Sequence, residues 1–397
     1  GEYQNVLFLE AARIMKSSHK DRVLFVLVSY LPIPRKIGEM KTKPTQYAAR
    51  TLNATGIQAD FILCRSEQPI DTKRREKLAL FCNIEPGDAI SAPDLDSIYD
   101  VPVNFAKDKL DLKILNKFGL KPRANRLGEW IRLAKRIKSL RRTVSIGIVG
   151  KYFNTGDFTL ADSYISVIES IKHAGWALGF QPKISWLDAE EYEKDSKKLR
   201  ELSSFDGIIV PGGFGSRGVE GKILAVEYVR KHKIPYLGLC YGLQMAAIEF
   251  ARNVCKFKNA NTTEVDPKTP HPVIDVMPEQ LNNIKEKNMG GSMRLGAYQC
   301  DLKAGTISRR AYGVKRVSER HRHRYEVNNE YRPFLQQKGL VISGVNPERD
   351  LVEIIELKDH PFFVGTQFHP EFKSRPLHPH PLFREFIRAA TMKISKS

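Results

Sequence analysis

The stretch Ile234-Pro235-Tyr236-Leu237-Gly238-Leu239-Cys240-Tyr241-Gly242-Leu243-Gln244-Met245-Ala246-Ala247-Ile248-Glu249-Phe250 decides the fold. An apolar lead runs into Gly238, Cys240 and Gly242, and apolar residues at helical spacing follow. This predicts a strand, a sharp turn and a helix, with a thiol at the turn. Flanking glycines leave room for a strained backbone and for a substrate to come close. The helix starting there aims free N–H groups and its positive dipole end at the sulfur, where negative charge is stabilised. Cys240 is a candidate nucleophile; the plainer reading is a buried cysteine at a strand end.

Far downstream stands Gly365-Thr366-Gln367-Phe368-His369-Pro370-Glu371-Phe372, after a strand expected at Phe362–Gly365. A thiol needs a base and the base an orienting acceptor, and His369 and Glu371 supply both. Val210-Pro211-Gly212-Gly213-Phe214-Gly215 adds a third glycine-rich strand end. Together, and in this order, the three segments resemble class I glutamine amidotransferases. The resemblance implies that Cys240 attacks the side-chain amide of glutamine, assisted by His369 and Glu371, and that ammonia leaves. Gly213 and the amides after Cys240 are expected to hold the oxyanion.

At 397 residues, two or three domains are expected. No apolar run approaches a membrane span and no signal segment opens the chain, so a soluble, cytoplasmic protein is expected. Five cysteines without a C-x-x-C pair argue against a disulfide framework or a zinc site. The net charge of +19 invites a nucleic-acid reading, but Lys73-Arg74-Arg75, Arg141-Arg142 and Arg309-Arg310 lack interleaved aromatics. Nucleotide phosphates account for some of these cations and solvated surface for most.

From its start the chain reads as a loop running into a helix, then a strand at Val23–Tyr30 buried on both faces and a helix at Tyr47–Thr55. A strand at Phe61–Cys64, a short helix at Thr72–Leu78 and a third strand at Ala79–Asn83 follow. Alternation of this kind means an α/β sheet with ligands beyond the strand ends. Lys41, Lys43, Arg65 and Lys77 fall there and suit a polyphosphate, with Thr42 and Thr45 as added donors.

Gly38-Glu39-Met40-Lys41-Thr42-Lys43-Pro44-Thr45-Gln46, then G-I-Q-x-D, C-R-S, A-L-F-C-N and S-I-Y-x-V-P, resemble the synthetase domain of CTP synthases in unbroken order. The resemblance implies UTP or CTP contacts at Glu2, Tyr3, Gln4, Lys41, Thr42, Lys43, Pro44, Thr45, Gln46 and Lys77, and ATP contacts at Arg65 and Leu95. Many relatives carry Asp-Ile-Glu where Glu2-Tyr3-Gln4 stands, so feedback contacts there are expected to differ. Asn104–Arg142 is expected to be a helical linker, between a synthetase part at 1–103 and an amidotransferase domain at 143–397.

In that second domain, strands are expected at Val144–Tyr152, Lys183–Leu187 and Phe205–Val210, with a helix at Asp162–Ala174 and a terminal helix at Leu382–Met392. Asn259–Glu264, Met293–Gly296 and Glu319–Asn328 resemble further CTP synthase segments. By resemblance Glu264 accepts the glutamine ammonium, Arg324 helps with its carboxylate, and Gly213, Tyr241, Gly242, Leu243 and Gln244 complete the pocket. His321 and His323 read as a solvated or substrate-facing strand.

The fold expected is therefore α/β with two doubly wound, mostly parallel sheets. The reaction implied is amination of UTP to CTP with ATP, fed by ammonia from glutamine. GTP is the implied allosteric activator, with Arg217 its sensor, and a homotetramer the implied assembly; no nucleic-acid or membrane partner is expected. Magnesium would accompany ATP, its ligands and the P-loop being expected upstream of Gly1, so only glutamine hydrolysis is expected of this polypeptide alone. An isolated amidase would share the Cys240 site without K-T-K-P-T-Q, and a non-enzymatic scaffold would not need the thiol.

Overall fold

The computed structural model describes residues 2–123, 127–151, 154–155, 158–159, 164–276 and 293–394. The chain divides into two compact units, Gly1–Lys135 and Arg136–Ser397.

Unit one contains α1 (Glu2–Ser18), β1 (Val26–Tyr30), α2 (Lys43–Ala54), β2 (Phe61–Ser66), α3 (Thr72–Cys82) and β3 (Ala89–Pro93). Helices α4 (Val101–Lys107) and α5 (Leu110–Lys117) follow, and the division falls inside α6 (Leu127–Ser139). The strands pair in parallel in the order β1-β2-β3. Three expectations are corrected. The chain opens on a helix from Glu2 rather than on a loop. Ala79–Asn83 is the end of α3, not a strand: Asp71 caps the helix by accepting from the Arg74 amide, and Leu78 and Cys82 bury at i, i+4 spacing. Leu80 and Phe81 stay exposed, and Asn83 stops the helix in the left-handed region. Finally, β1 lies at the sheet edge with Val26, Val28 and Tyr30 uncovered, instead of buried on both faces.

Unit two begins with β4 (Thr143–Gly150), β5 (Asn154–Thr155), β6 (Phe158–Thr159), α7 (Ile165–Leu178), β7 (Gln181–Asp188) and α8 (Ala189–Lys194). Then come β8 (Gly207–Val210), α9 (Val219–Lys231), β9 (Tyr236–Leu239), α10 (Tyr241–Asn253), β10 (Asn261–Thr262) and β11 (Pro272–Val276). The rest is β12 (Arg294–Leu302), α11 (Ile307–Tyr312), β13 (Arg316–His323), β14 (Tyr325–Val327), α12 (Arg332–Gln337), β15 (Leu340–Val345), β16 (Val352–Leu357), β17 (Phe363–Thr366) and α13 (Pro381–Ile394). Of the helix expected from Asp162, residues 162 and 163 lie outside the described residues.

The large sheet runs β13-β12-β15-β16-β17-β9-β8-β4-β7, parallel from β17 to β7 and antiparallel beyond. Alternate residues of its apolar strands serve opposite cores. Ile208 and Val210 pack with α9 and α10, while Ile209, Leu237 and Leu239 pack with α7 and with Leu382, Phe383 and Phe386 of α13. Full burial of such a side chain contributes about 1.5–3 kcal/mol, and two-sided burial explains why these strands read as unbroken apolar runs. The sheet thereby places the carboxyl ends of β8, β9 and β17 side by side.

Candidate active site

Those three adjacent strand ends carry the site. Cys240 follows β9 with φ 49° and ψ −96°, a left-handed backbone that costs about 1–3 kcal/mol in a non-glycine residue. The surroundings impose it: the Cys240 amide donates to Thr366 O at 2.6 Å, and α10 begins at the next residue. Both glycines are required by close approach. A Cβ on Gly242 would lie 2.1 Å from Val210 O, and one on Gly238 would lie 2.7 Å from Gly242 C. The first amides of α10 have no intrahelical acceptor and start directly after the sulfur.

His369 and Glu371 follow β17, and His369 Nδ1 lies 2.7 Å from Glu371 Oε1. A Cβ placed on Gly212 would sit 2.8 Å from His369 Cε1 and 3.8 Å from Cys240 Cβ, so imidazole and nucleophile converge over that glycine. Burial would push the imidazole down, but the Glu371 carboxylate and the Cys240 sulfur outweigh it and hold His369 well above its ordinary range. Phe372 stacks on the ring with centroids 5.3 Å apart.

Gln244 and Gln367 lie beside the thiol. Gln367 Nε2 donates to Cys240 Sγ at 3.6 Å, and Gln244 Nε2 donates to Tyr325 O at 2.8 Å and to Gln367 Oε1 at 3.4 Å. The sequence reading missed Gln367, although it sits in the same segment as His369. Leu243 packs against Gly365 of β17. On the other side, Tyr241 donates its hydroxyl to Gly215 O at 2.6 Å, and the Gly215 amide donates to Glu264 Oε1 at 2.9 Å. Burial raises the Glu264 carboxyl, against the Gly215 N–H and the charges of Lys151 and Arg324. Gly213, Tyr241 and Glu264 are thus brought together, with the charge of Arg324 acting on Glu264. Arg217 stands exposed and pairs with Glu190 at 2.7 Å.

His321 and His323 are not solvated; they are buried on β13. His321 Nε2 lies 2.6 Å from Glu353 Oε2, and Arg294 donates to Glu353 Oε1 at 2.7 Å, all almost inaccessible. Glu353 O in turn accepts from the Gln367 amide. This charged group behind the triad was invisible in the sequence, its members being spread over β12, β13 and β16.

In unit one, Glu39 accepts from Lys41 at 2.6 Å and from Arg74 at 3.2 Å. The Lys41 hydrogen bond and the charges of Lys41, Arg74 and Lys77 hold the Glu39 carboxyl below its usual range. Lys43 and Pro44 stand exposed in the first turn of α2. Thr45 is fully buried, its hydroxyl accepting from Ser29 at 2.9 Å; buried Thr42 accepts from Gln46 Nε2 at 3.1 Å. Thr45 is therefore spent on β1 rather than standing open as a donor, and Thr42 is tied to Gln46 in the first turn of α2. Arg65 pairs with Asp94 at 2.8 Å, next to half-exposed Leu95. Tyr3 is exposed on α1 with Gln4, and Glu2 shares that helix. The basic run is less solvated than expected, since Arg75 pairs with Asp108 at 2.9 Å.

An elbow cysteine, a histidine–glutamate pair and two glycine-rich strand ends on a doubly wound sheet define a class I glutamine amidotransferase domain, and residues 159–389 match the family described as Glutamine amidotransferase class-I. Residues 1–120 match the family described as CTP synthase N-terminus. The chain is 51% identical over 397 residues to a CTP synthase of Carboxydothermus hydrogenoformans, covering all of this chain and 72% of the relative. It is 49% identical to one of Moorella thermoacetica, over 98% of this chain and 71% of the relative. A solved glutaminase domain of a Trypanosoma brucei CTPS with bound acivicin superposes with TM-score 0.58 at 39% identity, over 63% of this chain and 94% of that one. This chain belongs to the CTP synthase family.

Proposed function

We propose that unit two hydrolyses glutamine through Cys240, His369 and Glu371 and yields the ammonia that a CTP synthase consumes. The observation that carries this is the convergence of Cys240 and His369 over Gly212, with Glu371 Oε1 2.7 Å from His369 Nδ1. The sulfur adds to the side-chain amide carbon of glutamine. The oxyanion is received by amides of Gly213 and of the α10 start, where each donor contributes about 3–4 kcal/mol. His369 passes its proton to the leaving nitrogen, ammonia departs, and a glutamyl thioester remains on Cys240. Water, deprotonated by His369, then attacks the thioester, releasing glutamate and returning Cys240 and His369 to their starting state. Glu264 receives the substrate ammonium and Arg324 its carboxylate. An acid-quenched reaction examined by mass spectrometry tests this reading: a glutamyl adduct on the Cys240 peptide is expected, and an adduct elsewhere overturns it.

Unit one, on this reading, takes UTP or CTP at Lys41, Lys43, Gln46 and Lys77, and ATP at Arg65 and Leu95. UTP should then protect Lys41 and Lys43 from acylation. Magnesium would supply charge neutralisation to bound ATP, but the described residues include no group of three or more His, Cys, Asp or Glu able to hold a metal. No step is routed through the ion. GTP activation through Arg217, a tetrameric assembly and a cytoplasmic location belong to the same proposal; among the described residues no helix is long and apolar enough to cross a membrane.

A further inference from the structure

Lys222 lies in the first turns of α9 and exposes 2% of its surface. Buried lysines are ordinarily paired, because an ammonium removed from water is costly unless compensated. Among the described residues, no carboxylate or carbonyl oxygen lies within hydrogen-bond or ion-pair distance of Lys222 Nζ. What it does meet is the face of the Tyr241 ring, 5.2 Å from the centroid, a cation–π contact.

Tyr241 is the residue directly after the nucleophile and is itself buried. A Cβ on Gly213 would lie 3.6 Å from its Cδ1, so the ring flanks the glycine loop. Its hydroxyl donates to Gly215 O and the Gly215 amide donates to Glu264. An apolar residue at position 222 would fill the same space with no desolvation cost, so the charge needs a use.

We propose that Lys222 is a positioning residue for glutamine hydrolysis: its ammonium seats the Tyr241 ring, and Tyr241 through Gly215 holds Glu264 where the substrate ammonium is received. This rests on the glutaminase reading above.

The charges around Lys222 make the seat sensitive to pH. Burial, first, and then Lys151 at the end of β4 push the ammonium down; Glu193 and Glu190 of α8 and Asp188 at the end of β7 oppose them, leaving it at about 8. On this proposal the cation seats the ring below that value, and the contact weakens as pH rises above it.

The test compares glutamine hydrolysis by the full chain and its Lys222→Met and Lys222→Arg variants between about pH 6.5 and 9, a range spanning the ammonium's titration. At pH 7, Lys222→Met should raise KM for glutamine about tenfold with kcat within about twofold, the split expected for lost positioning. Lys222→Arg should restore a low KM and lack the rise in KM that is expected of the unsubstituted chain above pH 8. The amino group of glutamine titrates alike in all three assays, so the ratio to Lys222→Arg isolates the side chain. Unchanged KM and pH dependence in Lys222→Met overturns the proposal, as does an equal loss at every pH that Lys222→Arg fails to rescue. Should Lys222→Met not fold, parallel profiles for the unsubstituted chain and Lys222→Arg overturn it. An unsubstituted chain that does not hydrolyse glutamine overturns the underlying reading instead.

Discussion

Gly242 has no room for a side chain because Val210 O stands where its Cβ would be, 2.1 Å away. The end of β8 and the start of α10 touch backbone to backbone, next to the Gly213 loop that follows β8. Gly242→Ala must push the two apart. Overpacking costs about 1–3 kcal/mol, so calorimetry should show a Tm lower by about 5 °C, with glutamine hydrolysis falling further than stability does.

Glu371→Gln removes the carboxylate that holds His369 charged. Its kcat should fall about 10²-fold or more, the contribution of a properly tuned acid–base group. Stability carries a signature as well. The folded imidazole is raised above its ordinary 6.5, so its contribution is full below that value and is lost as pH rises through the folded one. Urea denaturation should therefore find the two proteins furthest apart below pH 6.5 and converging in alkali; a gap that widens with pH contradicts the pairing.

Glu264→Ala should act on binding. Loss of a hydrogen bond to a charged partner costs about 1.5–3 kcal/mol, so KM for glutamine is expected to rise about 10–100-fold with a smaller effect on kcat. Steady-state kinetics at saturating and limiting glutamine separate the two parameters.

Glu353→Ala would leave Arg294 and His321 buried without their shared carboxylate. Breaking a buried pair from one side costs about 3–5 kcal/mol, which denaturant titration should register as a lower midpoint at unchanged slope. Because Glu353 O also accepts the Gln367 amide, glutamine turnover should fall with it.

What the sequence revealed was local. The glycine spacing about Cys240, the strand ends and His369–Glu371 are short-range patterns whose steric reasons operate within a few residues. Ala79–Asn83 misled because a short apolar run has no period of its own; the Asp71 cap and the Leu78–Cys82 spacing identify it as helix. Lys222 and the Arg294–His321–Glu353 group were illegible for a different reason. Nothing in a lysine on a helix or an arginine on a strand says that it will be buried, since that is decided by Tyr241 and Glu353, which arrive from other elements. The same holds for Thr45, which reads as an open donor and is used internally.

The most direct test is the rate of ammonia release from glutamine by the full chain and by Cys240→Ala. Release by the unsubstituted chain should fall by about 10⁴-fold or more in the variant, as removal of a nucleophile does elsewhere. Release by Cys240→Ala near the unsubstituted rate would contradict the assignment of the elbow cysteine as the nucleophile.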